Sequence, residues 1–213
     1  MNGKGLFFVL SALVLSVLLT TLFIYTGIDW SYATYFSQRP IAVYFSLPFV
    51  LAGMIFPLAL ILSFQFRKMR VHAKIALFSF LSSYILSTTL KIVTNRIDME
   101  PLEPIGDIDF SNGFRFGFFN SLSLWESISE GWPSGHTLVA ITMAISLSPL
   151  ISSRKWQIMN QIYCIVVALS VSTAFHWLSD VVSGAIIGGA LGYFLQLKFN
   201  KVYEQYYRRS NHQ

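Results

Sequence analysis

The chain has 213 residues, a length that fits one domain. It is 54% hydrophobic and only 12% charged, with a mean hydropathy of +0.57, so a soluble domain is a poor fit and an integral membrane protein the natural reading. The net charge of +5 does not imply a nucleic-acid partner: the basic residues flank apolar stretches, where lipid headgroups and membrane sidedness account for them.

In chain order, six stretches are long or apolar enough to cross a bilayer, at about 20 residues each. They run roughly over Leu6–Ile28, Val43–Phe66, Ile75–Val93, Thr137–Ile151, Ile158–Phe175 and Val181–Phe199. The expected fold is therefore an all-α integral membrane protein, a single domain built as a bundle of six transmembrane helices. The first stretch has too long an apolar core for a signal peptide, and no small-residue cleavage site follows it, so it reads as an anchor helix. The single cysteine, Cys164, lies inside an apolar run and reads as a packing residue. No metal-binding cluster is evident in the spacing of Cys and His.

Alternating six spans places 11 of the 15 Lys and Arg on one side, with Glu204 as the only acid there. Nine of the ten acids fall on the other side with Arg39, Lys91, Arg96 and Arg115. This asymmetry puts both termini in the cytoplasm. The long acidic loop after Asn95, the segment Trp132-Pro133-Ser134-Gly135-His136 and the segment His176-Trp177-Leu178-Ser179-Asp180 then share the outer side. In the last span, Gly184, Gly188 and Gly192 form a stripe at four-residue spacing, suited to close helix packing against the span carrying His136. The tail after Lys201 mixes aromatics and bases and is expected at the headgroup surface.

Three segments carry candidate chemistry. Pro133-Ser134-Gly135-His136 opens an apolar helix: proline suits a first turn, serine supplies a hydroxyl, and glycine lets a ligand approach backbone N–H groups backed by the helix dipole. His176 and Asp180 are spaced i, i+4, so on a helix they share a face, and a carboxylate on one ring nitrogen leaves the other as a nucleophile. Lys91 sits at the outer end of the third span with Arg96 five residues on, a pair that a phosphate would explain.

In their order and gaps these segments resemble the type 2 phosphatidic acid phosphatase family of membrane lipid phosphatases, in detail over about residues 91–192. That family has a lysine followed after six residues by Arg-Pro, then Pro-Ser-Gly-His, then Ser-Arg with a histidine and an aspartate beyond. The second segment matches in full, and the His176/Asp180 spacing matches the third. This chain departs at Asp98-Met99, where Arg-Pro is expected, and at Leu169-Ser170, where Ser-Arg is expected. Arg96 and Arg115 are the nearest replacements for the two lost guanidiniums, because few other bases lie on the outer side.

The resemblance implies a metal-independent lipid phosphatase without a cofactor. His176 would attack phosphorus, Asp180 would orient it, and His136 would protonate the leaving oxygen and then activate water. Lys91, Arg96, Ser134, Gly135 and Arg115 would bind the phosphoryl oxygens. The implied partners are a lipid phosphate substrate and membrane lipids, with no nucleic acid. The substrate could be phosphatidic acid, phosphatidylglycerol phosphate, a polyprenyl pyrophosphate or a lipid A phosphate. Localisation is expected in a bacterial inner membrane with the site facing outward. Alternatives are a lipid phosphotransferase of the same fold, or a membrane protein that binds anionic lipid with little turnover.

Overall fold

A computed structural model describes residues 3–66, 69–99, 108–117 and 131–210. Most of the acidic loop lies outside these residues, including Glu100, Glu103, Asp107, Glu126 and Glu130. Among the described residues the fold is all helical, with eight α-helices: α1 (Gly3–Tyr25), α2 (Ile28–Ser37), α3 (Pro40–Leu62), α4 (Arg70–Thr94), α5 (Gly135–Leu147), α6 (Arg154–Ala174), α7 (Leu178–Lys198) and α8 (Asn200–Ser210).

Four helical segments are long and apolar enough to cross a membrane: Gly5–Tyr25, Pro40–Gln65, Arg70–Thr94 and Leu178–Lys198. The first three turn large apolar side chains outward, among them Phe7, Ile41, Phe45, Leu62 and Ile85, each more than 60% exposed. Such a continuous apolar exterior fits a lipid surround rather than water. The other two expected spans differ. The fourth is a shorter apolar helical segment, Gly135–Leu150. The fifth is the 21-residue α6, whose Arg154, Lys155, Gln157, Asn160 and Gln161 lower its hydropathy.

The shortness of α5 follows from its place. It packs against α3, α4, α6 and α7, and nine of its thirteen residues are buried, from Thr137 to Leu147. Protein rather than lipid surrounds it, so its length is set by its neighbours and not by bilayer thickness.

Two stripes of small residues let those neighbours close in. On α7, a Cβ at Gly184 would stand 2.7 Å from the Ser134 carbonyl oxygen, one at Gly188 would stand 2.7 Å from that of Leu138, and one at Gly192 would stand 2.9 Å from that of Thr142. The glycine stripe thus lies directly on α5. On α4, Ser79, Ser83, Ser87 and Lys91 recur every four residues and are all buried, so they share one face. Ser79 Oγ lies 2.6 Å from Ser146 Oγ of α5. The serines carry that face up to Lys91 at the mouth of the bundle.

Helix α2 was not expected. It follows a turn at Gly27, whose φ of 70° suits a residue without a Cβ, and it brings Asp29 into the interior. The tail forms α8, its described side chains mostly exposed but one aromatic turned inward. Tyr203 of α8 is buried in the core cluster with Ile75 and Met143, and its hydroxyl donates to the Ser146 carbonyl at 2.5 Å. Burial pushes this phenol up to about 12.

Candidate active site

The mouth of α5 is assembled from four directions. Ser134 is the N-cap residue, while Pro133 stands just before the helix rather than in its first turn. The Ser134 N–H donates to the Asp180 carbonyl at 3.0 Å, which ties the start of α5 to the start of α7. Ser134 Oγ is within 3.2 Å of Thr137 Oγ1. Trp132, immediately upstream, is buried and donates its indole N–H to Thr20 Oγ1 of α1 at 2.8 Å. Thr20 in turn pairs with Ser183 of α7 at 2.9 Å. The loop entering α5 is therefore clamped by α1 and α7.

Gly135 opens α5 where α4 passes closest. A Cβ there would stand 3.1 Å from Ser87 Oγ and 3.8 Å from Lys91 Cε. The lysine stem thus runs past the helix N-terminus, whose first N–H groups have no intrahelical partner. His136 is half-buried and within electrostatic reach of both His176 and Lys91. The structure therefore brings together Lys91, Ser134, Gly135, His136 and His176.

His176 lies in the turn between α6 and α7, nearly buried. Its Nδ1 is 3.0 Å from Asp98 Oδ1 and 4.0 Å from Asp180 Oδ2. Asp98, not Asp180, is therefore the hydrogen-bonding carboxylate, because 4.0 Å is beyond hydrogen-bond range. This corrects the expectation drawn from the i, i+4 spacing. Asp98 Oδ2 accepts the Gly131 N–H at 3.3 Å, so the same side chain also reaches the loop before α5.

Asp180 is held elsewhere. Its Oδ1 pairs with the guanidinium of Arg96, and both side chains are fully buried. Arg96 also donates to Asp29 Oδ2 at 2.8 Å, to Ser179 Oγ at 2.8 Å, and through two nitrogens to the Ser111 carbonyl at 3.0 and 2.6 Å. These contacts occupy its five donors. The phosphate contact expected of Arg96 has no donor left to make it in this arrangement; the residue is an internal cross-brace. Asp29 completes the brace by accepting the Ser179 N–H at 2.8 Å and the Ser179 hydroxyl at 2.5 Å. A carboxylate from α2 thus caps the first turn of α7.

The strand-like stretch after α4 is fixed on both sides. Asn95 ends α4 in the left-handed region at φ 41°, a common helix stop for asparagine. Ile97 donates to the Gly113 carbonyl at 2.8 Å, and Trp177 donates its indole N–H to the Ile97 carbonyl at 2.8 Å. Trp177 is fully buried, with its ring 5.3 Å from that of Phe110. Arg115 follows in the same loop, its backbone N–H on the Asn95 carbonyl at 3.1 Å, its side chain exposed.

Asp29, Asp98 and Ser179 are the residues that the sequence reading missed. Asp29 had one signal, an acid directly after a long apolar run. Asp98 was noticed as a lost arginine, not as a partner for a histidine 78 positions away.

A family model described as the PAP2 superfamily matches residues 72–203. No curated protein matches the chain. No solved structure matches it either. The matched stretch spans well over half of the chain and contains Lys91, Pro133–His136 and His176–Asp180, so the protein belongs to the PAP2 superfamily.

Proposed function

We propose that this protein is a membrane lipid-phosphate phosphatase that hydrolyses a phosphomonoester or pyrophosphate headgroup through a phosphohistidine on His176. The observation that carries this reading is the convergence of His176, His136 and Lys91 on the N-terminus of α5, with a carboxylate 3.0 Å behind His176. With its proton on Nδ1 and donated to Asp98, the His176 ring keeps a lone pair on Nε2 for attack.

In the first step the Nε2–P bond forms and the P–O bond to the lipid breaks, while His136 gives a proton to the departing oxygen. In the second, His136 takes a proton from water, the water oxygen bonds to phosphorus, and the Nε2–P bond breaks to release phosphate. Phosphorylation leaves the His176 ring cationic, and Asp98 and Asp180 stabilise that charge. Lys91 and the first N–H groups of α5 hold the phosphoryl oxygens. Arg96 serves as a positioning residue rather than a phosphate ligand, and Arg115 is the remaining candidate cation from the outer loop. No step calls for a metal or another cofactor.

Six crossings with both termini cytoplasmic accompany this reading, α5 and α6 supplying the two beyond the four long apolar helices. The support is the Lys and Arg asymmetry, with the site then opening on the non-cytoplasmic face of a bacterial inner membrane. A second reading, an anionic-lipid binder with little turnover, is favoured by the full internal engagement of Arg96 and the aspartate at position 98. Inorganic phosphate release from a panel of lipid phosphates separates the two. His176→Ala and His136→Ala should each abolish it.

A further inference from the structure

Asp98, His176 and Asp180 come from three separate places: the stretch after α4, the turn between α6 and α7, and the first turn of α7. Their ligating atoms all lie within 4.8 Å of one another. His176 and Asp180 are buried and Asp98 is half-buried. Two carboxylates and one imidazole form a mixed O/N donor set that suits Zn²⁺, Mn²⁺ or Co²⁺.

The hydrogen bonding leaves something undone at this point. Asp180 is fully buried, yet its Oδ2 has no hydrogen-bond partner; it faces His176 Nδ1 from 4.0 Å. Nδ1 carries one proton, and that proton points to Asp98 at 3.0 Å. A single N–H serves one carboxylate and strands the other, whereas a dication between them binds both and the ring nitrogen together. Charge adds to this. Asp29 and Asp180 share one guanidinium, that of Arg96, and Asp98 adds a third carboxylate beside Asp180, so these carboxylates outnumber the cation they pack with in a poorly solvated place. Buried charge of one sign calls for a counter-charge.

We infer that Asp98, His176 and Asp180 form a binding site for a divalent transition cation of the Zn²⁺ type, which acts as an inhibitor. On binding, a metal–Nδ1 bond replaces the N–H bond, and the proton leaves to solvent. The cation withdraws electron density from the ring, so Nε2 becomes a poorer nucleophile. The site itself does not depend on the phosphatase reading; its inhibitory effect does.

The test uses the full chain in detergent, with any affinity tag removed, titrated with Co²⁺ as a coloured stand-in for Zn²⁺. One Co²⁺ per chain is expected, with visible d–d bands stronger than those of the aqueous ion and abolished by Zn²⁺. Asp98→Asn leaves the Arg96 brace in place and should weaken Co²⁺ binding at least about tenfold. Asp109→Asn, in the exposed part of the same loop, should not change it. Micromolar Zn²⁺ should slow phosphate release by the wild type. No Co²⁺ bands in the wild type, or bands that Asp98→Asn leaves intact, overturn the site. Bound Co²⁺ without phosphate release from any lipid keeps the site and removes the phosphatase reading. Turnover without Co²⁺ binding does the reverse.

Discussion

Asp98 stands 3.0 Å from Nδ1 of His176, across 78 residues of chain. In the related family the corresponding position is expected to be an arginine that holds phosphate. Here the position holds a carboxylate against His176 instead, and the arginine two residues earlier faces inward to brace Asp29 and Asp180. Within one short stretch a carboxylate thus faces the histidine and a guanidinium faces the interior.

The first consequence concerns Asp98→Asn. The amide can still accept from Gly131 but no longer holds the His176 proton with a full charge. We expect kcat to fall by roughly 10²-fold or more with KM little changed, since the loss is felt as the ring becomes cationic. Steady-state kinetics on a lipid phosphate in mixed micelles measures the split. An equal loss in KM alone would place Asp98 on the substrate rather than on His176.

Arg96 should behave as a structural ion. Arg96→Ala leaves Asp29 and Asp180 buried without their cation, at a cost of about 3–5 kcal/mol. Arg96→Lys should rescue little, because an ammonium cannot reproduce the planar fork. Thermal unfolding in detergent reads the loss. Full stability with a raised KM would return Arg96 to the phosphate site.

The two glycine environments on α7 predict opposite outcomes one residue apart. A Cβ at Gly188 would stand 2.7 Å from the Leu138 carbonyl oxygen, whereas one at Gly189 would meet only Ile145 Cδ1 at 3.9 Å. Gly188→Ala should therefore destabilise by about 1–3 kcal/mol and displace the mouth of α5. Gly189→Ala should be tolerated. Paired melting curves and activities decide it.

Lys91→Met keeps the stem against Gly135 and removes only the charge. If the ammonium binds phosphoryl oxygens, KM should rise by roughly 10- to 100-fold, the worth of one charge-assisted hydrogen bond. Arg115→Ala should raise KM by less, given its exposed side chain. An unchanged KM in the Arg115 variant removes it from the site.

The long helices and the two histidine segments were legible in the sequence because each is a local signal, whereas α2 was not. Apolar runs mark the long helices, Pro133–His136 marks a helix start, and the stripe at Gly184, Gly188 and Gly192 names its own packing face. What escaped was non-local. The spacing of His176 and Asp180 predicted a shared helix face, but His176 lies in the turn before α7, and its nearest carboxylate comes from Asp98. Arg96 looked available on charge alone; only the fold reveals Asp29 and Ser111 as competing acceptors. Length alone did not reveal why α5 is short: its neighbours bury nine of its thirteen residues.

The central claim, that His176 is the nucleophile, is tested most directly by trapping the intermediate. Protein mixed with a ³²P-labelled lipid phosphate and quenched in alkali should carry an acid-labile, base-stable label that maps to His176. That label should disappear in His176→Ala along with phosphate release. Phosphate release that proceeds without any labelled histidine, or that survives in His176→Ala, contradicts the account.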